Sequence, residues 1–190
     1  MAIIDGNKAI QDILIRSLEL DTYEYIMNQA YKANIARDND FQKKFNHFYR
    51  IRRGSKWREK YYEIFENNKT NKDEVTFENI LCNIYVFTDK TEASFASKML
   101  ATINPEKPIW DSRVLSFLNL KPKGKNVSEL QDSMIEIYAQ IEEWYRVYLA
   151  TDEARENISL FDRLFPQYSW ISDVKKIEYL IWGLKKQEIL

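Results

Sequence analysis

His47 and Cys82 are the only imidazole and the only thiol in the 190 residues. A multi-histidine metal site and a Cys-x-x-Cys cluster are therefore excluded, and a serine triad would depend on His47 alone. No glycine-rich phosphate loop, His-Glu-x-x-His pair or Gly-x-Ser-x-Gly elbow occurs either, and neither a metal nor a cofactor is expected. His47 reads as a surface residue beside Phe48. The remaining chemistry lies in charge and rings. Residues 41–60 hold Lys43, Lys44, Arg50, Arg52, Arg53, Lys56, Arg58 and Lys60 against Glu59 alone, interleaved with Phe48, Tyr49, Trp57, Tyr61 and Tyr62. Cations for phosphates and rings for stacking make this a candidate nucleic-acid surface, while helical spacing equally suits rings turned inward and charges outward. Lys121, Lys123 and Lys125 form a second, smaller basic loop. Asp111 follows an irregular stretch with Pro105 and Pro108 and precedes Ser112-Arg113-Val114, the position of a helix N-cap.

These residues must be carried by helices. Four glycines and four prolines are too few for strand-and-turn architectures, and alternating apolar runs are scarce. The expected fold is all-α, about ten helices in a compact bundle, and one domain spanning 1–190 is the default for this length. Three-and-four spacing predicts a helix over about Lys8 to Leu18 (Ile10, Ile13, Leu14) and one capped by Asp21 (Tyr23, Ile26, Met27, Ala30). It also predicts one from Asn39 (Phe41, Phe45, Phe48) ended by Gly54, and one capped by Ser55 (Trp57, Tyr61, Ile64, Phe65) running to a polar linker at Asn67 to Lys72. A core helix over Glu74 to Phe87, a short one through Phe95 to Leu100 and one from Asp111 to Leu118 follow. Three more complete the count: a long helix to Ala150 opened by a Ser128/Gln131 capping box, then Ala154 to Phe165 and Ile171 to Lys186. Lone Cys82 fits a reducing compartment, and no apolar run is long enough to span a membrane, so a cytoplasmic protein without membrane contact is expected. Against the basic stretch stands an acidic one: residues 128–156 hold eight acids, from Glu129 to Glu156, and only Arg146 and Arg155.

Ser94-Phe95-Ala96-Ser97-Lys98-Met99-Leu100, Pro108-Ile109-Trp110-Asp111-Ser112-Arg113-Val114, Pro122-Lys123-Gly124-Lys125-Asn126-Val127 and Tyr179-Leu180-Ile181-Trp182-Gly183 occur in that order. Together they resemble the core of the helix-hairpin-helix DNA glycosylase superfamily, which includes endonuclease III, over roughly residues 73–186. The resemblance implies a base-excising DNA N-glycosylase in which Asp111 is the catalytic carboxylate, stabilising positive charge on the sugar or orienting water. It places Ser94 where bifunctional members carry a lysine nucleophile, which implies a monofunctional, water-using enzyme; Lys98, one turn on, is the alternative amine. Trp110 is a candidate to stack on an extruded base or to pack. DNA is the implied partner, held by Lys90, Arg50, Arg52, Arg53, Lys56, Arg58, Lys121, Lys123 and Lys125. The hairpin positions, Asp89 to Ala93, lack the family's glycines and hold two acids, and the family's four-cysteine iron–sulfur module is missing. A non-catalytic nucleic-acid-binding module is the competing reading. An all-helical protein-interaction or phage–host conflict factor, using the acidic stretch, is the third.

Overall fold

The computed structural model of the chain describes residues 4–15, 18–70 and 74–184. Among them are ten α-helices: α1 (Gly6–Ile15), α2 (Leu18–Ala30), α3 (Asn39–Phe48), α4 (Ser55–Lys69), α5 (Phe77–Thr88), α6 (Ala93–Ile103), α7 (Ser112–Phe117), α8 (Val127–Leu149), α9 (Asp152–Leu164) and α10 (Asp173–Gly183). A 3₁₀ turn at Pro166–Tyr168 joins the last two, and no strand occurs among the described residues. The all-α class is as expected. The helices fall into two compact units, Leu18–Asn104 and Met1–Ser17 with Pro105–Leu190, called here the α2–α6 unit and the α7–α10 unit.

Aromatic rings fill the centre of the α2–α6 unit. Phe41 and Phe45 on α3, with Tyr61, Tyr62 and Phe65 on α4, are almost fully buried. Phe45 lies 5.5 Å from Phe65 and 4.7 Å from Tyr49, centroid to centroid. Each such side chain contributes about 1.5–3 kcal/mol through burial. The inward-facing reading thus holds for Phe45, Tyr49, Tyr61 and Tyr62.

Helix ends differ from the sequence reading in several places. α3 starts at Asn39 as expected, with Asp38 as its cap accepting from the N–H groups of Asp40 and Phe41. Gly54 does not end that helix. Arg50 does, at φ 55°, with Arg50 N–H donating to His47 O and Ile51 N–H to Asn46 O, the paired bonds of a Schellman motif. Gly54 instead caps α4, so Ser55 is its first helical residue. α2 opens at Leu18, which leaves Asp21 within its first turn, where a carboxylate favours the helix dipole, and not as its cap.

α4 also continues through Asn67 and Asn68 to Lys69 instead of yielding to a linker. The cause is Lys69: its ammonium reaches Ala30 O (3.3 Å), Ala33 O (2.5 Å) and Glu66 (2.9 Å), while Glu66 accepts Ile35 N–H. A cation on the carbonyls at the end of α2 and in the turn after it satisfies groups that the helix leaves open. Residues 71–73, which contain the rest of the expected linker, lie outside the described residues.

In the α7–α10 unit, α10 is the central element. Ten residues of its span and cap region, Val174 to Ile181 with Gly183 and Leu184, are buried. α1 crosses it at Gly183, where an added Cβ would stand 2.2 Å from Ala9 O. Ala9 and Ile10 are buried, but Leu14, expected on the same face, is half exposed; the Ile13 side chain lies outside the described residues. α8 opens with a different capping box from the expected Ser128/Gln131 pair. Asn126 accepts Glu129 N–H, and the Glu129 carboxylate accepts Lys125 N–H and Asn126 Nδ2. α9 is capped by Thr151 and α10 by Ser172; residues 185–190 lie outside the described residues. No helix of the described residues is long and apolar enough to cross a membrane.

The α1–α10 crossing gives a stability test. Gly183→Ala must push the two backbones apart and is expected to cost about 1–3 kcal/mol despite the better helix propensity of alanine. That is a fall of several degrees in Tm for a chain of this size. Gly54, where an added Cβ would meet nothing within 4 Å, is the control: Gly54→Ala should cost less than about 1 kcal/mol.

Candidate functional site

Asp111 caps α7. Its Oδ1 accepts the N–H groups of Arg113 (2.7 Å) and Val114 (3.1 Å), and Oδ2 accepts no hydrogen bond within the described residues. The side chain is partly exposed. The segment leading to it is irregular yet firmly held. Ser172 Oγ donates to Pro105 O at 2.7 Å, Tyr138 Oη to Pro108 O at 2.8 Å, and Ile109 N–H donates to Glu178 Oε1 at 2.6 Å. Three side chains from α8 and the start and middle of α10 thus fasten a stretch that cannot satisfy its own backbone. Trp110 is 6% exposed, so its ring packs in this unit and offers little face to a base.

Glu178 is the electrostatic centre of the arrangement. It is 1% exposed, and its other oxygen meets Lys175 Nζ at 2.8 Å, itself 3% exposed. Lys175 also lies over the rings of Trp182 (4.4 Å) and Tyr179 (5.4 Å). Burial raises the Glu178 carboxyl above its ordinary range. Lys175 and the Ile109 N–H pull it back, and the nearby Asp111 charge adds to the rise. Burial likewise pushes the Tyr138 and Tyr145 phenols well above their ordinary value, with Glu178 contributing in both cases and Asp111 in the second. Asp111 therefore shares its surroundings with one deeply buried carboxyl and two neutral phenols. None of the three partners carried a signal in the sequence.

The other elements of the resemblance belong to the α2–α6 unit. α5 and α6 are joined by the four-residue turn 89–92, with Asp89 at φ 54° in place of a glycine. Ser94 and Lys98 meet one turn apart on α6: Lys98 Nζ donates to Ser94 Oγ at 2.9 Å and to Tyr49 O at 3.2 Å. It also lies 5.4 Å from the Phe95 ring centroid. An attacking amine needs its lone pair aimed at a sugar, whereas this one is drawn to a hydroxyl and to the carbonyl that follows α3.

Arg53 makes a bidentate ion pair with Glu92, at 2.8, 3.0 and 3.1 Å, and stacks over Phe95 at 5.3 Å. Two of its three nitrogens are thus engaged by the turn. Arg50, Arg52, Lys56 and Lys90 are exposed and Arg58 is half-buried. Lys121, Lys123 and Lys125, in the α7–α10 unit, are exposed on the loop that follows α7. His47 is exposed, and no cluster of three metal-ligating side chains occurs among the described residues.

The α7–α10 unit also has an open cleft of about 460 Å³, lined by Glu106, Lys107, Pro108, Glu142, Tyr145 and Arg146 among others, but not by Asp111. Four of its charged side chains pair with one another, Lys107 with Glu142 and Arg146 with Glu143. Elsewhere on the acidic stretch Asp152 pairs with Arg155, and Glu153 accepts Ile4 N–H and the Tyr148 hydroxyl. Much of that acidity is satisfied locally.

The buried pair predicts a pH signature. A carboxyl raised in the folded state binds its proton more tightly there than when unfolded. Its stabilising contribution is therefore present below the ordinary Glu value and lost as pH rises through the raised one. Lys175→Met strands the Glu178 charge and is expected to cost about 3–5 kcal/mol at pH 7, recovering as pH falls toward 4.5. Lys175→Met with Glu178→Gln should regain most of the loss at pH 7 and remove the recovery, as read from denaturant melts at both pH values. Compared with known proteins, the chain matches no family model, no curated protein and no solved structure.

Proposed function

We propose that the chain is a DNA N-glycosylase-like protein that releases a damaged or modified base by hydrolysis, with Asp111 as the assisting carboxylate. The observation that carries the reading is the state of Asp111: one oxygen fixed by two backbone N–H groups, the other without a hydrogen bond within the described residues, on a loop held by Ser172, Tyr138 and Glu178. A fixed carboxylate suits a reaction in which the C1′–N bond breaks, cationic character grows on the sugar and a water oxygen bonds to C1′. Capping and catalysis are compatible here, because the cap orients the charge. Ser94 favours water over a lysine adduct, and the commitment of Lys98 to Ser94 and Tyr49 points the same way. Each unit offers exposed cations to a nucleic-acid backbone, Lys121, Lys123 and Lys125 in the one that carries Asp111 and Arg50, Arg52, Lys56 and Lys90 in the other.

One observation favours a second reading, a nucleic-acid-binding module without chemistry. The α5–α6 turn lacks glycine, and its Glu92 is already neutralised from within by Arg53; this preserves a basic surface and asks nothing of Asp111.

Asp111→Asn separates the two. Asparagine is as good an N-cap as aspartate, so the substitution should cost no more than about 1 kcal/mol of stability, while the charge is lost. Against a panel of damaged duplexes, the wild type is expected to generate abasic sites and Asp111→Asn to do so at least about 100-fold more slowly. DNA binding with no abasic product from either protein would leave the binding module. Borohydride trapping of a covalent adduct would move the chemistry to Lys98.

A further inference from the structure

We infer that Glu92 is an internal competitor for nucleic-acid phosphate: by holding Arg53 it completes a basic corner of the α2–α6 unit and withholds one cation from it. The inference rests on the nucleic-acid reading above and specifies which side chains make the contact. Three contacts pin residues 49–57 against the α5–α6 turn and the start of α6. Arg53 binds Glu92, Lys98 Nζ binds Tyr49 O, and the Trp57 ring packs 5.1 Å from Phe95. Arg50, Arg52 and Lys56 each lie within three residues of one of these anchors, and Lys90 lies two residues before Glu92. All four are exposed. The acids on the turn are Asp89, exposed, and Glu92, only 10% exposed at its side chain.

The sequence alone makes Glu92 a liability to phosphate binding, since a carboxylate beside a phosphate costs Coulomb energy. In the structure its charge is cancelled by Arg53. The guanidinium gives Nε and Nη2 to the carboxylate, while Nη1 makes no hydrogen bond within the described residues. Arg53 is thus half committed. A phosphodiester is the anion that a planar guanidinium fork also fits, and several cations spaced along a loop and a turn suit a run of phosphates better than a single anion.

The test is the salt dependence of oligonucleotide binding. Each phosphate neutralised adds about 0.9 to the slope of log affinity against log salt for a duplex, and about 0.7 for a single strand. Glu92→Gln, which releases Arg53 and removes a negative charge, is expected to steepen the slope by about that amount and to tighten binding several-fold at low salt. Arg52→Gln and Lys90→Gln, outside the bridge, should each flatten it by the same amount. An unchanged slope in Glu92→Gln, with the wild type binding, overturns this inference and leaves the nucleic-acid reading standing. Failure of both proteins to bind at low salt overturns both. Should Glu92→Gln fail to fold, Arg52→Gln and Lys90→Gln decide, and an unchanged slope in them overturns the site. Binding of phosphatidylserine vesicles without binding of either oligonucleotide likewise overturns it.

Discussion

Glu178 sits on a helix covered along most of its length, and a carboxylate in that position must find partners or forfeit its charge. It finds two, the Lys175 ammonium and the Ile109 N–H. The first makes the burial tolerable, and the second ties the centre of the unit to the loop that ends in Asp111. Tyr138 and Ser172 add their bonds to the same loop, so an irregular backbone with two prolines keeps a single path without regular structure. A buried ion pair is a poor source of stability compared with apolar packing. Its consequence here is geometric, since replacing it with leucines would leave Ile109 N–H unpaired beneath Asp111.

Long cationic side chains play the corresponding part in the α2–α6 unit. Lys69 is buried against the end of α2, Lys98 reaches the carbonyl after α3, and Arg53 reaches the turn before α6. Each long cationic side chain closes a junction between helices whose cores are aromatic. These three cations serve the fold, whereas Arg50, Arg52, Lys56 and Lys90 remain at the surface. Charge in the basic stretch is thereby divided between holding the chain and facing outward.

Features written over three or four residues were legible in the sequence. Asp111 as a cap, the apolar face of α5 at Phe77, Ile80, Leu81 and Ile84, and the ring stripe of α3 and α4 all follow from local spacing. The end of α3 was not, because Arg50 adopts a left-handed conformation that the sequence usually announces with glycine. The start of α8 was displaced because Asn126 with Glu129 and Ser128 with Gln131 are overlapping capping signatures, and only the first pair is joined in space. α5 reads as a heavily apolar core helix, yet Cys82, Val86 and Phe87 point outward. The pairings that matter for the candidate site were beyond reach: Glu178 lies 69 residues from Ile109 and Arg53 lies 39 from Glu92. No local pattern encodes a contact at that separation.

Glu178 clamps the loop that leads to Asp111 through the Ile109 N–H, and amide hydrogen exchange reports on that bond directly. Measured residue by residue on the folded chain, Ile109 N–H is expected to exchange as slowly as the amides of α10, with Arg113 and Val114 protected to a lesser degree by the Asp111 cap. Exchange of Ile109 at the rate of an exposed loop, while α10 stays protected, would contradict it.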